Sequence, residues 1–448
     1  MKRSIKILWK IVSVGLVFIS WLGLSAPQSF GLDLATALAL AKQNDAVFRA
    51  ETMEARAKDA DGWSSVAALG PRVTVSDKAM RSRVNYSPDE SAGLEDRHLT
   101  FSDNEATISL DQPLLDMEKI YTARRGGNEM DIAALERVKA REELIVRVIE
   151  RYFSLLSVRD EVGLANSKLQ ILTSQLQTAR AGHDLGLGDQ SDLFDIQARY
   201  ETTRATLALL LAKLNDAREA LAELLGVPID GELEGLDVDK VFSAPENEID
   251  YWLGQAEEQN NTCRISRLQA EAARLDGKIV ASRFLPSVSF FVEYERTSPE
   301  NDLVGYGWNR ERTDYGLKLQ MELLSGGRDV AEVVARKRRY KAARQRVIAT
   351  RRSVIRQTKS IWNRLQEILE SIEFYEKAVA ANKRSLQIKE AGYQEGLQTM
   401  LDVLNVQKDY FIASNKYQNA RYDYVITLTK FKQLVGGLAD IEENLTAR

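Results

Sequence analysis

From Met117 to Ala181 the chain has no proline, and its apolar residues recur at helical spacing. Ile145, Ile149, Tyr152 and Leu156 lie on one stripe. Val162, Ala165, Leu169, Leu172, Leu176 and Ala179 extend it in alternating steps of three and four, the spacing of a coiled coil. Gly326 to Ala391 forms a second proline-free stretch of similar length. About 65 residues at a 1.5 Å rise make a rod of ~100 Å. A compact globule has no room for such rods, so the pattern predicts long helical hairpins packed side by side.

Two other segments alternate with a period of two. Val288, Phe290, Val292 and Tyr294 fall on one face, with Ser287, Ser289 and Glu293 on the other; Phe291 breaks the rule. The return segment sets Tyr315, Leu317, Leu319 and Met321 against Gly316, Lys318 and Gln320. A weaker copy sets Ala106, Ile108 and Leu110 against Thr107, Ser109 and Asp111. Strands of this length, apolar on one face and polar on the other, fit a membrane barrel with a wet lumen. A soluble hairpin lying on the helices is the alternative reading. Tyr306, Trp308 and Tyr315 suit an aromatic girdle at the membrane surface.

The same elements occur twice. Ala181–Tyr200 and Ala391–Tyr410 share A-G-x3-G-L-x4-D-x4-Q-x2-Y without a gap. At the same offset Leu176-Gln177 matches Leu386-Gln387, and Leu224, Leu225 and Gly226 match Leu434, Val435 and Gly436. Upstream, LGPRVTV (69–75) resembles FLPSVSF (284–290), QPLLD (112–116) resembles MELLS (321–325), and Gln43-Asn44 pairs with Gln259-Asn260. The fold class that follows is mainly α, with a β-hairpin in each of two tandem repeats. The expected divisions are a signal peptide at 1–31, repeats at 32–226 and 249–438, a linker at 227–248 and a tail at 439–448. Two hairpins supply four strands, and open sheet edges are not tolerated in lipid. Single-chain barrels begin at eight strands. The barrel therefore requires several chains; a trimer gives twelve strands and a pseudo-six-fold ring.

Composition narrows the function. The start is basic (Lys2, Arg3, Lys6), an apolar run covers Ile7 to Leu24, and small residues at Ser29 and Gly31 precede Leu32. That is the pattern of an export signal, with an uncleaved anchor as the rival. The formal net charge is −4, and removing this segment with its four cations leaves −8, which disfavours a nucleic-acid partner. The chain has two histidines, His98 and His183, and one cysteine, Cys263. Disulfide, zinc and CxxC motifs are absent, as are GxSxG and Walker A loops. No cofactor, metal site or enzymatic activity is expected. His183 is expected to be an exposed residue beside the first glycine turn.

Four stretches closely resemble the TolC-type outer-membrane efflux and secretion channels. They are LDLATALALAKQND (32–45), the Leu-Pro-type entry to each hairpin, YQEGLQTMLDVLNVQ (393–407) and ARYDYVITLTKFKQLVGGL (420–438). The last looks most like members serving type I secretion. The resemblance implies a homotrimer with a twelve-stranded β-barrel in outer-membrane lipid and a long α-helical coiled-coil barrel in the periplasm. It implies a passive exit duct docked to a periplasmic adaptor and an inner-membrane pump, the pump supplying the energy. A helical-hairpin adaptor or scaffold is the alternative, although adaptors carry one hairpin between β-rich flanks.

The resemblance also assigns the repeated turn to the periplasmic tip. Gly186 and Gly396 allow left-handed backbone at a helix end. Leu187 and Leu397, with Tyr393 nearby, are then apolar groups offered to an adaptor, or else C-cap contacts inside their own hairpin. Asp192, Asp195 and Asp402 match the charged ring at the channel constriction, with Asn405 where the family usually has another aspartate. Helix capping is the competing role for each aspartate. Some members of the family hold the tip shut with an arginine just after the turn; Gln398 and Gly188 occupy that region here, and Tyr393 is available for a hydrogen bond.

Overall fold

The computed structural model describes residues 32–86, 97–185, 189–229, 233, 245–299 and 310–438. The expected signal peptide, most of the linker, the tail, Tyr306 and Trp308 lie outside them. The first half forms α1 (Leu34–Asn44), α2 (Ala46–Ala67), β1 (Arg72–Tyr86), β2 (Arg97–Leu115), α3 (Met117–Asp184) and α4 (Gln190–Leu225). The second half forms α5 (Ile249–Gln259), α6 (Asn261–Ser282), β3 (Ser287–Pro299), β4 (Arg310–Gln320), α7 (Arg328–Gln394) and α8 (Met400–Val435). Corresponding helices have nearly equal lengths: 11 and 11, 22 and 22, 68 and 67, 36 and 36 residues.

Two helices precede each hairpin. The break is made by a cap. Asp45 accepts the Phe48 N–H, and Asn260 accepts those of Thr262 and Cys263 at 3.0 and 3.2 Å. The caps define the equivalence, so Asn44 matches Gln259 and Asp45 matches Asn260, one residue away from the pairing the sequence suggests. Each repeat closes on this break. Gly226 (φ 67°) and Gly436 (φ 80°) end α4 and α8 against the side chains of Asn44 and Gln259. The amides of Asn44 and Asn260 donate to the carbonyls of Leu225 and Leu434 at 2.7 and 3.1 Å.

The main core sits midway along the rods. The expected stripe Ile145, Ile149, Tyr152 and Leu156 is buried there with Leu34, Leu221, Leu365 and Phe431. The Tyr152 hydroxyl donates to the Leu32 carbonyl at 2.9 Å, satisfying its polar end in an apolar setting. Near the sheet, α2 packs on α3, α3 on α6 and α6 on α7. Toward the other end α4 packs on α3, α3 on α8 and α8 on α7. The rods thus form a single layer.

The four strands form one antiparallel sheet in the order β1-β2-β3-β4. Cross-strand register collects the apolar positions on one face. Val73, Leu110, Val292 and Tyr315 form one row, and Val75, Ile108, Tyr294 and Thr313 form another. Tyr315 is 76% exposed and Leu317 68% exposed. The other face carries Thr74, Ser109, Glu293 and Asp314 in register. Phe291, the exception to the alternation, points to this polar face and lies over Gly316, whose missing side chain leaves it room: a Cβ there would stand 3.4 Å from the ring. The expected strand position of Met321 is not realised. β4 ends at Gln320, and an irregular stretch leads to Gly326 and Gly327, both left-handed, with Gly327 starting α7.

Candidate functional site: the tip of the helical hairpins

Opposite the sheet, α3 turns into α4 and α7 turns into α8. In the second turn, Glu395 is the C-cap and Gly396 is left-handed at φ 74°. The Gly396 N–H donates to the Tyr393 carbonyl at 3.0 Å and the Leu397 N–H to the Gly392 carbonyl at 2.7 Å. This is the Schellman arrangement, which satisfies carbonyls a helix end leaves unpaired. It usually packs the residue after the glycine against the last helical turn. Here the facing residue is Gly392, which has no side chain to offer, and Leu397 is 72% exposed. In the protomer the leucine therefore stands outside the hairpin core. Tyr393 is partly exposed, and its phenol makes no hydrogen bond among the described residues. Gly186, Leu187 and Gly188 of the first turn lie outside the described residues. His183, just before it, is partly exposed, with Nδ1 3.8 Å from Asp184 Oδ1.

The helices leaving the turns are anchored by a second, smaller core. Leu172 and Leu176 of α3, Ile196 of α4, and Met400, Val403 and Leu404 of α8 are buried together. This cluster sets the starts of α4 and α8 side by side and brings Asp192, Asp195, Asp402 and Asn405 to one end of the protomer.

The two repeated aspartates occupy equivalent positions, three residues after their caps, but their surroundings differ. Thr399 caps α8: the Asp402 N–H donates to its hydroxyl at 3.2 Å, and the Thr399 N–H returns a bond to the Asp402 carboxylate at 3.2 Å. The Thr399 hydroxyl also donates to that carboxylate at 2.6 Å. These hydrogen bonds, with Lys389 4.0 Å away, hold the Asp402 pKa below the usual carboxylate value. Asp189 caps α4 instead, through the Ser191 N–H at 2.9 Å. Asp192 therefore faces a carboxylate where Asp402 faces a threonine. Burial, then Asp189 and Asp195, push the Asp192 pKa up. So Asp402 is the reciprocal partner of Thr399 in a capping box, whereas Asp192 lies beside two further carboxylates, Asp189 and Asp195.

Sequence reasoning missed Arg199. Its guanidinium, on α4, donates to the Leu404 carbonyl at 3.2 Å and to the Asn405 side-chain oxygen at 2.9 Å, both on α8. The signal was a break in the repeat, since Asp409 stands at the matching position. Lys168 has its pKa lowered by burial and by the neighbouring charges of Arg199 and Lys408. A basic layer thus follows the acidic one along the rods. Gln398, just past the second turn, accepts a hydrogen bond from Lys389 of α7.

The architecture is a sheet with one apolar exposed face, carried on long helical hairpins. The model of the family described as "Outer membrane efflux protein" matches residues 37–227 and 252–437, and the chain belongs to that family. It is 26% identical over 406 residues to outer membrane protein TolC of Vibrio cholerae, spanning 90% of this chain and 88% of that one. It is 24% identical over 435 residues to the alkaline protease secretion protein AprF of Pseudomonas aeruginosa, spanning 96% and 90%. The fold is shared with the crystal structure of outer membrane protein VceC from Vibrio cholerae, with a TM-score of 0.75 at 17% identity over 90% and 96% of the two chains. The chain is thus an outer-membrane exit duct that extends into the periplasm, and its family is one of channel proteins. The adaptor-scaffold alternative finds no support among these relatives.

Proposed function

We propose that three copies of this chain close into a conduit and serve as the passive outer-membrane component of a tripartite efflux or type I secretion system. One observation carries this reading: the sheet has two free edges, β1 and β4, and one exposed apolar face. Among the described residues no helix is long and apolar enough to cross a membrane, so the sheet is the element suited to lipid. Free edges in lipid must pair, and pairing β4 of each copy with β1 of the next yields twelve strands. The duplicated chain divides, on this reading, into a signal peptide at 1–31, repeats at 32–226 and 249–438, a linker at 227–248 and a tail at 439–448. The likeness to a protease secretion protein over 96% of the chain favours an exported polypeptide as cargo.

Gly186, Leu187, Tyr393, Gly396 and Leu397 form the proposed docking tip for a periplasmic adaptor, which links the duct to an inner-membrane pump. Asp192, Asp195 and Asp402, with Asn405, form the proposed constriction. The exposed Leu397 and the shared end position of the aspartates support these two assignments.

The lipid face provides the test. Leu317→Arg sets a charge among apolar positions, at a cost of about 2–4 kcal/mol near the bilayer midplane. Outer-membrane insertion should fall sharply. Glu293→Gln, on the opposite face, should insert normally. Equal insertion of both variants would remove the sheet from the membrane.

A further inference from the structure

We propose that the helical barrel is closed near the membrane by a belt of alternating aspartates and arginines, in which Arg336 of each copy meets Asp61 of the next. The proposal rests on the trimeric reading above. Asp61 and Asp276 are each the sixteenth residue of their helices, α2 and α6, and each is followed by glycine. Arg125 and Arg336 are each the ninth residue of α3 and α7. These four residues are equivalent pairs in the two repeats.

Within one chain they already alternate. Asp61 and Arg125 line one crevice of about 230 Å³ where α2 crosses α3. That crossing is tight: a Cβ on Gly62 would stand 2.7 Å from the Gly126 carbonyl oxygen, so the glycines let the backbones touch. Across the junction between the repeats, Arg125 Nε donates to Asp276 Oδ1 at 2.6 Å. On the far side of Asp276, Arg336 Nη1 lies 3.5 Å from Oδ2. The order along the layer is therefore Asp61, Arg125, Asp276, Arg336.

The series stops at both ends. Asp61 is exposed and has no ion pair among the described residues. Arg336 binds Asp276 and, through Nη2, Glu332 at 3.2 Å, while its Nε is buried in the single chain without a hydrogen-bond partner. Nε is the atom through which the equivalent Arg125 crosses to the next repeat. Where β2 pairs with β3, α3 packs on α6. Pairing β4 with the β1 of another copy repeats that step and sets α7 against that copy's α2. A turn of the Arg336 side chain then presents its unpaired donor to Asp61. The partner chemistry is an acid on a helix of the same shape, which is what a second copy supplies.

Chemical cross-linking tests this directly. The buried Cys263 is changed to serine, and Asp61→Cys and Arg336→Cys are introduced singly and together. Outer membranes are treated with a short bis-maleimide and boiled before electrophoresis. The double variant should give linked dimers and trimers, and either single variant only monomers. A double variant that forms an unheated trimer yet stays monomeric after cross-linking and boiling would overturn the belt and leave the trimer standing. Absence of any unheated trimer in the unsubstituted protein would instead overturn the trimeric reading, and the belt with it. Asp61→Arg is the second arm. The residue is exposed in the protomer, so the chain should fold, and its trimer should separate at a lower temperature. An unchanged separation temperature would count against the belt.

Discussion

Leu187→Glu combined with Leu397→Glu is expected to abolish export while the trimer persists. Leu397 follows a left-handed glycine and faces Gly392 instead of an apolar side chain. It contributes little to its own hairpin and is offered outward at the end of the molecule. An unpaired carboxylate in a dry contact costs several kcal/mol. At about 1.4 kcal/mol per decade, docking to the adaptor should weaken at least a hundredfold. Secreted protein in the medium and dye efflux would both be followed in cells carrying the variant as their only copy. Export at the unsubstituted rate would take the tip out of the docking site. Loss of the trimer would assign the leucines to packing inside the hairpin.

Replacing the repeated aspartates should change ion selectivity without changing the fold. If Asp192, Asp195 and Asp402 face the lumen near a three-fold axis, each chain adds three charges to a narrow pore, which focuses their field. Such a ring favours cations. Concentrated salt should weaken the preference, since the Debye length falls to ~3 Å at 1 M. At position 402 asparagine keeps a side-chain oxygen that can accept both Thr399 hydrogen bonds, and the caps themselves, Asp189 and Thr399, are untouched. Asp192→Asn with Asp402→Asn should thus hold its trimer and lose both cation selectivity and block by trivalent cations. The measurement is a single-channel reversal potential across a salt gradient. Selectivity and block that both survive would exclude a ring at these residues.

Acid should dismantle the ring in stages. Asp192, with its raised pKa, takes up a proton before Asp402, with its lowered pKa, as pH falls. The sign for stability follows from Asp402. Its folded pKa lies below the unfolded one, so its capping contribution is present above the unfolded value and is lost as pH falls through the folded value.

What the sequence made legible was periodic or repeated. The stripe from Ile145 to Leu156 needed only helical spacing, and it is buried as that spacing requires. The paired strands needed only alternation. The features that stayed hidden depend on partners far away in the chain. Phe291 breaks its strand pattern because Gly316, on the next strand, leaves room for a ring. Arg199 matters through Asn405, more than two hundred residues later. The contrast between Asp192 and Asp402 comes first from the burial of Asp192 and then from the residue three positions before each, Asp189 or Thr399. That contrast could have been read from Thr-x-x-Asp, a capping-box spacing. The repeated Asp-Gly of α2 and α6 was also visible, but it gained meaning only when Arg125 and Arg336 appeared on either side of Asp276.

The account stands or falls on three chains closing one barrel in the outer membrane. Outer-membrane fractions run on a denaturing gel with and without heating test this most directly. The expected result is a three-chain band without heating that collapses to the single-chain band after boiling. A single-chain band in both lanes, with the protein recovered from the soluble periplasm, would contradict it.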